Sequence, residues 1–189
     1  MESESFIAQG SGYRLRPLRL GDAKVLSEFA EDERYWLFLA DGPRTPDQVK
    51  QLVMDSVSAS VRPGARQTWW AVQDPSSRAV IGTANVKHIG EKADRNGSVG
   101  CTLAPDYQGK GLGTTLGWAL IALAFETFKL HRVECTCAVD NDGSVHIMRD
   151  TYGMTYEGVR RDYRYTARGW WSSHIFSILE DEYAAKAKE

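Results

Sequence analysis

The sequence predicts an α/β fold, a mixed sheet with helices on both faces, from three observations. Segments that alternate like strands are broken by segments with helical spacing along most of the 189 residues. The early strand-like segments are joined by a short polar turn, as in a hairpin. Near the middle, Ser98 to Leu103 reads as a strand and runs through a glycine-rich turn into a long apolar helix. The length and a 42% hydrophobic content fit one domain over residues 1–189.

Taken in order, Tyr13 to Arg19 alternates and reads as the first strand. Asp22 is placed to cap a helix from Ala23, with Leu26 and Phe29 inward and Tyr35 and Trp36 after a break. Thr45-Pro46-Asp47-Gln48 matches a capping box with proline at the first helical position, so a second helix carries Val49, Leu52, Val53 and Val57 on one side. Arg62-Pro63-Gly64 ends it. Trp69 to Gln73 and Ala79 to Ile89 form a hairpin through Asp74-Pro75-Ser76-Ser77, and the polar stretch Gly90 to Gly97 is an exposed loop. In the helix after the glycine turn, Leu112, Leu116, Leu120 and Leu123 mark one face and Trp118, Ile121, Phe125 and Phe128 another, which predicts central burial. Val133 to Val139 alternates as a further strand. A short helix with Val145, Met148 and Tyr152 inward stops at Gly153. Two closing strands, Thr155 to Tyr165 and His174 to Leu179, flank Thr166-Ala167-Arg168-Gly169, and the polar tail Ala184 to Glu189 is expected to fray.

Composition narrows the function. A net charge of −2 without a long Lys/Arg run argues against nucleic acid as partner. The longest apolar run, Trp118 to Phe125, is far short of a membrane span, and Met1-Glu2-Ser3-Glu4-Ser5 is acidic where a signal peptide is basic, so the expectation is a cytoplasmic protein. Cys135 and Cys137 alternate in one strand and Cys101 is distant. That is not a zinc spacing, so buried packing and no metal are expected.

The turn Gln108-Gly109-Lys110-Gly111-Leu112-Gly113-Thr114 holds three glycines at alternate positions, which bring backbone N–H groups close to a ligand with no Cβ in the way. The first N–H groups and the dipole of the next helix make it a seat for phosphate. A P-loop needs Lys and Ser or Thr after the last glycine, and a dinucleotide fingerprint needs a third glycine further on; neither fits. A merely structural turn is the remaining alternative.

The block Gln108-x-x-Gly111-x-Gly113 after a strand resembles the acetyl-CoA loop, Gln/Arg-x-x-Gly-x-Gly/Ala, of the GNAT superfamily of N-acetyltransferases. The resemblance extends through Arg14-Leu15-Arg16-Pro17-Leu18 with Asp22, Ile81-Gly82, Asn141-x-x-Ser144, Tyr152-Gly153-Met154 and Glu157-Gly158-Val159-Arg160, an order like the RimJ/RimL-type branch. It implies a mostly antiparallel sheet of about seven strands, in which Ser98 to Leu103 and Val133 to Val139 run parallel and splay around the pantetheine arm of acetyl-CoA. It also implies cofactor contacts from Thr102, Leu103, Ala104, Gln108, Gly109, Lys110, Gly111, Leu112, Gly113, Thr114, Asn141 and Ser144. Catalysis would fall to a backbone N–H near Leu103, facing the oxyanion, and to Ser144, serving the thiolate.

Plainer roles compete for these residues: Lys110 as a solvated loop lysine, Asn141 as a helix N-cap, and Ser144 bonded to its own backbone. Ser144 to Gly153 is one residue longer than the branch pattern. Ser98 stands where many relatives carry glutamate, leaving Asp94, His88 and Asp162 as substitute bases, each equally suited to a structural role. Trp69-Trp70 and Trp170-Trp171 suit an acceptor pocket, the core, or a homodimer surface. Three functions remain: acetylation of a protein or peptide N-terminal α-amine, acetylation of a small metabolite or drug amine in a pocket formed by Glu31 to Gly42 and the hairpin near Trp170, and acyl-CoA binding without turnover.

Overall fold

The computed structural model describes residues 8–36, 45–60, 67–166 and 169–187. Its sheet has eight strands: β1 (Ala8–Gly10), β2 (Tyr13–Pro17), β3 (Gln67–Gln73), β4 (Val80–Ile89), β5 (Asn96–Leu103), β6 (Arg132–Ala138), β7 (Thr155–Thr166) and β8 (Gly169–Leu179). They lie in the order β1-β2-β3-β4-β5-β6-β8-β7, and every neighbouring pair is antiparallel except β5 with β6. The expected mixed, mostly antiparallel sheet is present, with β1 added at one edge.

The helices are α1 (Asp22–Ala30), α2 (Glu33–Trp36), α3 (Pro46–Ser60), α4 (Leu112–Glu126), α5 (Asp142–His146) and α6 (Glu180–Lys186). Residues opposite one another on neighbouring strands share a face. On one face Trp70, Ala84, Val86, Leu103, Val133, Cys135, Phe176 and Ile178 pack with Leu116, Leu120, Ile121, Ala124 and Phe125 of α4. On the other, Ala71 and Val80 pack with Leu26 and Ala30 of α1 and Val49 and Val53 of α3. The all-round apolar character of α4 follows, since sheet, α5 and α6 surround it; each fully buried Leu or Ile contributes about 2 kcal/mol.

At Thr45 the capping box forms as the sequence predicts: Gln48 N–H donates to Thr45 Oγ1 at 3.3 Å and Thr45 N–H donates to Gln48 Oε1 at 2.8 Å. Several expectations are corrected. Asp22 is no cap: its buried carboxylate takes both guanidinium nitrogens of Arg16, at 2.7 and 2.8 Å, and the Arg19 N–H at 2.8 Å, tying α1 to β2. β8 begins at Gly169 rather than His174, because the Trp170-Trp171 segment pairs with Tyr165 and Arg164. Ala184 to Lys186 of the expected tail belong to α6, whose buried Tyr183 stacks on Phe125 at 4.9 Å and donates to Glu126 Oε1 at 2.6 Å. The exposed loop before β5 contains a short 3-10 turn at Lys92–Asp94. Arg62-Pro63-Gly64, Glu2 to Ser5, residues 37–42 of the expected acceptor segment and Ala167-Arg168 lie outside the described residues.

Candidate active site

Strands β5 and β6 pair only from Asn96–Arg132 to Ser98–Glu134. Beyond that they diverge, and a gap opens whose β5 wall runs from Val99 to Leu103. N–H groups alternate in direction along a strand. That of Ala104 donates to Ile81 O at 2.7 Å on the β4 side, so the Leu103 N–H is directed into the gap. The β4–β5 side is held close by Gly82, where a Cβ would collide with the Thr102 carbonyl.

The glycine turn leaves the end of β5 and is tied back to it by Gln108, whose Nε2 donates to Leu103 O at 2.8 Å. Gly109 and Gly111 have φ of +69° and +78°, and a Cβ built on either meets nothing within 4 Å. Gly111 is the N-cap of α4 and no side chain caps the helix, so no side chain satisfies the N–H groups of its first turn. An anion fits there without competing for donors. Lys110 is exposed and lies 6.0 Å from the Tyr107 ring. A feature that the sequence did not reveal steadies this turn. Tyr152, kept protonated because burial raises its pKa, donates to Thr114 O at 2.8 Å and packs so closely that a Cβ at Gly117 would strike it.

Across the gap, Asn141 Oδ1 accepts the Ser144 N–H at 3.1 Å, so Asn141 is the N-cap of α5 and its amide N–H₂ is left over. Among the described residues the Ser144 hydroxyl bonds to nothing, its own backbone included. The additional residue between Ser144 and Gly153 is absorbed downstream, in a π-helical turn at Ile147–Thr151 closed by Tyr152 N–H to Ile147 O at 2.9 Å. The facing of Ser144 is therefore set by its cap.

Thr102 and Ser98 lie on the face that carries α1 and α3, because Thr102 opposes Thr83 and Ser98 opposes Lys87; that face is the candidate acceptor face. None of the three substitute bases stands beside Ser98. Asp94 accepts the Glu91 N–H in the loop before β5, at the closed end. His88 packs on Phe128 beneath α4, on the opposite face. Asp162 sits in a distortion of β7. The carboxylate in register with Ser98 is Glu134, which the alternation of β6 hid as one more outward polar residue. Its oxygens are taken by Arg132 at 3.0 Å and Arg160 at 3.2 Å. Arg132 also grips Glu157 through two bonds of 2.6 Å, which hold the Glu157 carboxyl well below its ordinary pKa, at about 2.

Trp70 is core and Trp69 packs near α3, while Trp170 is 63% exposed and Trp171 opposes Arg164 on the acceptor face. Burial pushes the thiols of Cys135 and Cys137 up, to about 12 and about 11, which suits inert packing. Cys101, expected inside, is exposed because β6 has already diverged at that level. At the mouth of the gap, Glu28, Phe29, Asp32 and Arg34 face Ala104 to Tyr107 across a pocket, with Arg34 3.8 Å from Asp106. Among the described residues no group of side chains is arranged to hold a metal ion, and no helix is long and apolar enough to cross a membrane.

A splayed parallel pair, a glycine turn with open donors and a capped helix across the gap coincide here with a family match. The family described as Acetyltransferase (GNAT) domain matches residues 13–155. The chain belongs to that family. It is therefore an acyltransferase, an N-acetyltransferase of the GNAT type, and the family's acyl donor is acetyl-CoA. Among curated proteins it is 24% identical over 170 residues to "Uncharacterized N-acetyltransferase YnaD" of Bacillus subtilis, covering 89% of this chain and 94% of that protein. It is 26% identical over 173 residues to "Putative ribosomal N-acetyltransferase YdaF" of the same organism, covering 89% and 92%. Two solved structures share the fold. A RimL ribosomal L7/L12 α-N-protein acetyltransferase in complex with coenzyme A has a TM-score of 0.80 at 18% identity, covering 94% of this chain and 99% of that one. A spermidine N-acetyltransferase from Vibrio cholerae in complex with CoA and spermine has a TM-score of 0.78 at 21% identity, covering 93% and 99%.

Proposed function

We propose that this GNAT enzyme acetylates the N-terminal α-amine of a protein or peptide in the cytoplasm, as RimJ/RimL-type enzymes do. The observation that supports the acceptor class is that, among the described residues, no free carboxylate stands beside Ser98: Ser98 has no acid, and Glu134, in register with it, is occupied by two guanidiniums. A lysine amine, pKa ~10.4, spends about 4 kcal/mol to become neutral at about pH 7.5, whereas an α-amine, pKa ~7.9, spends about 0.5 kcal/mol. A site with no positioned base favours the second.

In this reading the turn Gln108 to Thr114, with Lys110, holds the pyrophosphate, Thr102 to Ala104 line the pantetheine arm, and the Asn141 amide adds a donor. The neutral amine attacks the thioester carbon, forming C–N as C–S breaks. The Leu103 N–H meets the developing oxyanion, and the Ser144 hydroxyl donates to the departing thiolate. The amine's proton leaves to solvent.

A second reading rests on the pocket of Glu28, Asp32 and Asp106, whose three carboxylates outnumber its one guanidinium, Arg34 paired with Asp32, and so suit a polycationic amine such as the substrate named for the Vibrio cholerae structure. Thiol release from acetyl-CoA separates the two. We expect higher kcat/KM at neutral pH with a peptide bearing a free α-amine than with the same peptide blocked there but bearing lysine, or with a polyamine. A marked preference for the lysine peptide or the polyamine overturns the first reading, and no release with any amine leaves an acyl-CoA-binding domain.

A further inference from the structure

The distal half of β7 is shaped by a distortion that the reaction outlined above does not use. Arg160 opposes Ser173 and Arg164 opposes Trp171, so three residues of β7 face the single Ser172 of β8. The distortion puts Asp162 at φ +46°, a conformation costly for a residue with a Cβ, and fastens it by its N–H to Ser172 Oγ at 3.0 Å. Such bulges re-aim side chains. Ser173 and Trp171 are two apart on β8 and share a face, so both arginines come to the face of Glu134, the acceptor face. Tyr163 lies between them, its ring 4.8 Å from the Arg160 guanidinium and 5.4 Å from that of Arg164. Arg160 shares the Glu134 carboxylate with Arg132. Arg164 is exposed and, among the described residues, has no carboxylate partner. In a chain of net charge −2, this is a local cationic and aromatic platform at the wall of the acceptor cleft.

Resting on the α-amine reading, we infer that Arg160, Tyr163 and Arg164 bind carboxylate side chains of the acceptor polypeptide, so that the enzyme selects acidic N-terminal segments. Carboxylates match guanidinium geometry and the tyrosine supports the guanidiniums from below. The spacing sets which residues are read. Three strand steps separate β5 from β7, at least about 14 Å at ~4.8 Å each since β5 and β6 have diverged at this level, and an extended peptide spans about 3.4 Å per residue. Acidic residues should therefore count at about the fourth to sixth positions after the amine.

The test uses two heptapeptides with the same free α-amine and first three residues, carrying Asp or Asn at positions four to six. The intact enzyme should show a KM about 10-fold lower for the acidic peptide, a preference that shrinks as salt is raised. Arg164→Gln, checked for an unchanged melting temperature, should lose most of it, and Arg164→Lys should keep part. Equal KM values for the two peptides in the intact enzyme, or a preference that survives Arg164→Gln, overturn the inference while the α-amine reading stands. No turnover of either peptide beside rapid turnover of a polyamine overturns both. Binding of single-stranded RNA that is lost in Arg164→Gln, with no preference between peptides, would overturn it in favour of a nucleic-acid surface.

Discussion

Replacing Gly111 by alanine separates the turn's structural role from its binding role. The φ of +78° places this residue in the left-handed region, where a side chain costs about 1–2 kcal/mol, yet the added Cβ meets no atom within 4 Å. The free protein should thus fold, with a stability loss of that size. With ligand, the same open space is where the pyrophosphate must approach the bare N–H groups at the start of α4. A methyl group there should weaken CoA binding by tenfold or more, equivalent to about 1.4 kcal/mol. Gly158→Ala is a control for backbone strain away from the turn: its φ of +122° is also positive and more costly for a side chain, its Cβ also meets nothing, and it lies on β7. Both variants should melt below the intact protein, and by calorimetry only Gly111→Ala should lose affinity for CoA. Undiminished binding in a folded Gly111→Ala protein, or equal loss in both, would refute the placement of the pyrophosphate.

Ser144→Ala should lower kcat about 10-fold to 100-fold at saturating acetyl-CoA, since a thiolate of pKa ~8.5 is already a fair leaving group and an acid helps without being required; single-turnover kinetics check it. Asp22→Asn, which leaves the buried Arg16 guanidinium without its carboxylate, should cost about 3–5 kcal/mol of stability, read by urea denaturation. Glu157 has a folded pKa depressed to about 2, so its contribution is present at neutral pH and is lost as the pH falls from about 5 towards 2. Arg132→Ala should flatten that part of the acid-unfolding curve. With no base beside Ser98 among the described residues, kcat/KM for an α-amine peptide should rise with pH and level off near the amine's own pKa of ~7.9; a plateau reached a unit or more lower would reveal a base.

Elements governed by local chemistry were legible in the sequence. The Thr45–Gln48 box, the glycine turn and the buried α4 all depend on residues within a few positions of one another. What escaped depends on distant partners. Asp22 sits where a cap belongs, but its tertiary partner Arg16 outcompetes the helix N–H groups. The early start of β8 depends on pairing across a distorted β7 that has no simple alternation. The acidic first turn of α6, Glu180-Asp181-Glu182, was an available sign of a helix start just before the stretch Ala184 to Glu189 that was expected to fray. In the site, the glycines and the Asn141-x-x-Ser144 spacing could be read directly. The π-helical turn behind Ser144, the Tyr152 clamp and the register of Glu134 with Ser98 could not, since each joins two elements whose pairing only the folded chain defines.

The most direct measurement is a competition within one molecule. A peptide with both a free α-amine and a lysine side chain is incubated with acetyl-CoA at neutral pH to partial conversion, and the product is mapped by fragmentation mass spectrometry. A site that lacks a positioned base should place a single acetyl group on the α-amine. Acetyl found mainly on the lysine would contradict the α-amine reading and require a base that Ser98, Lys87 and the arginine-bound Glu134 do not supply.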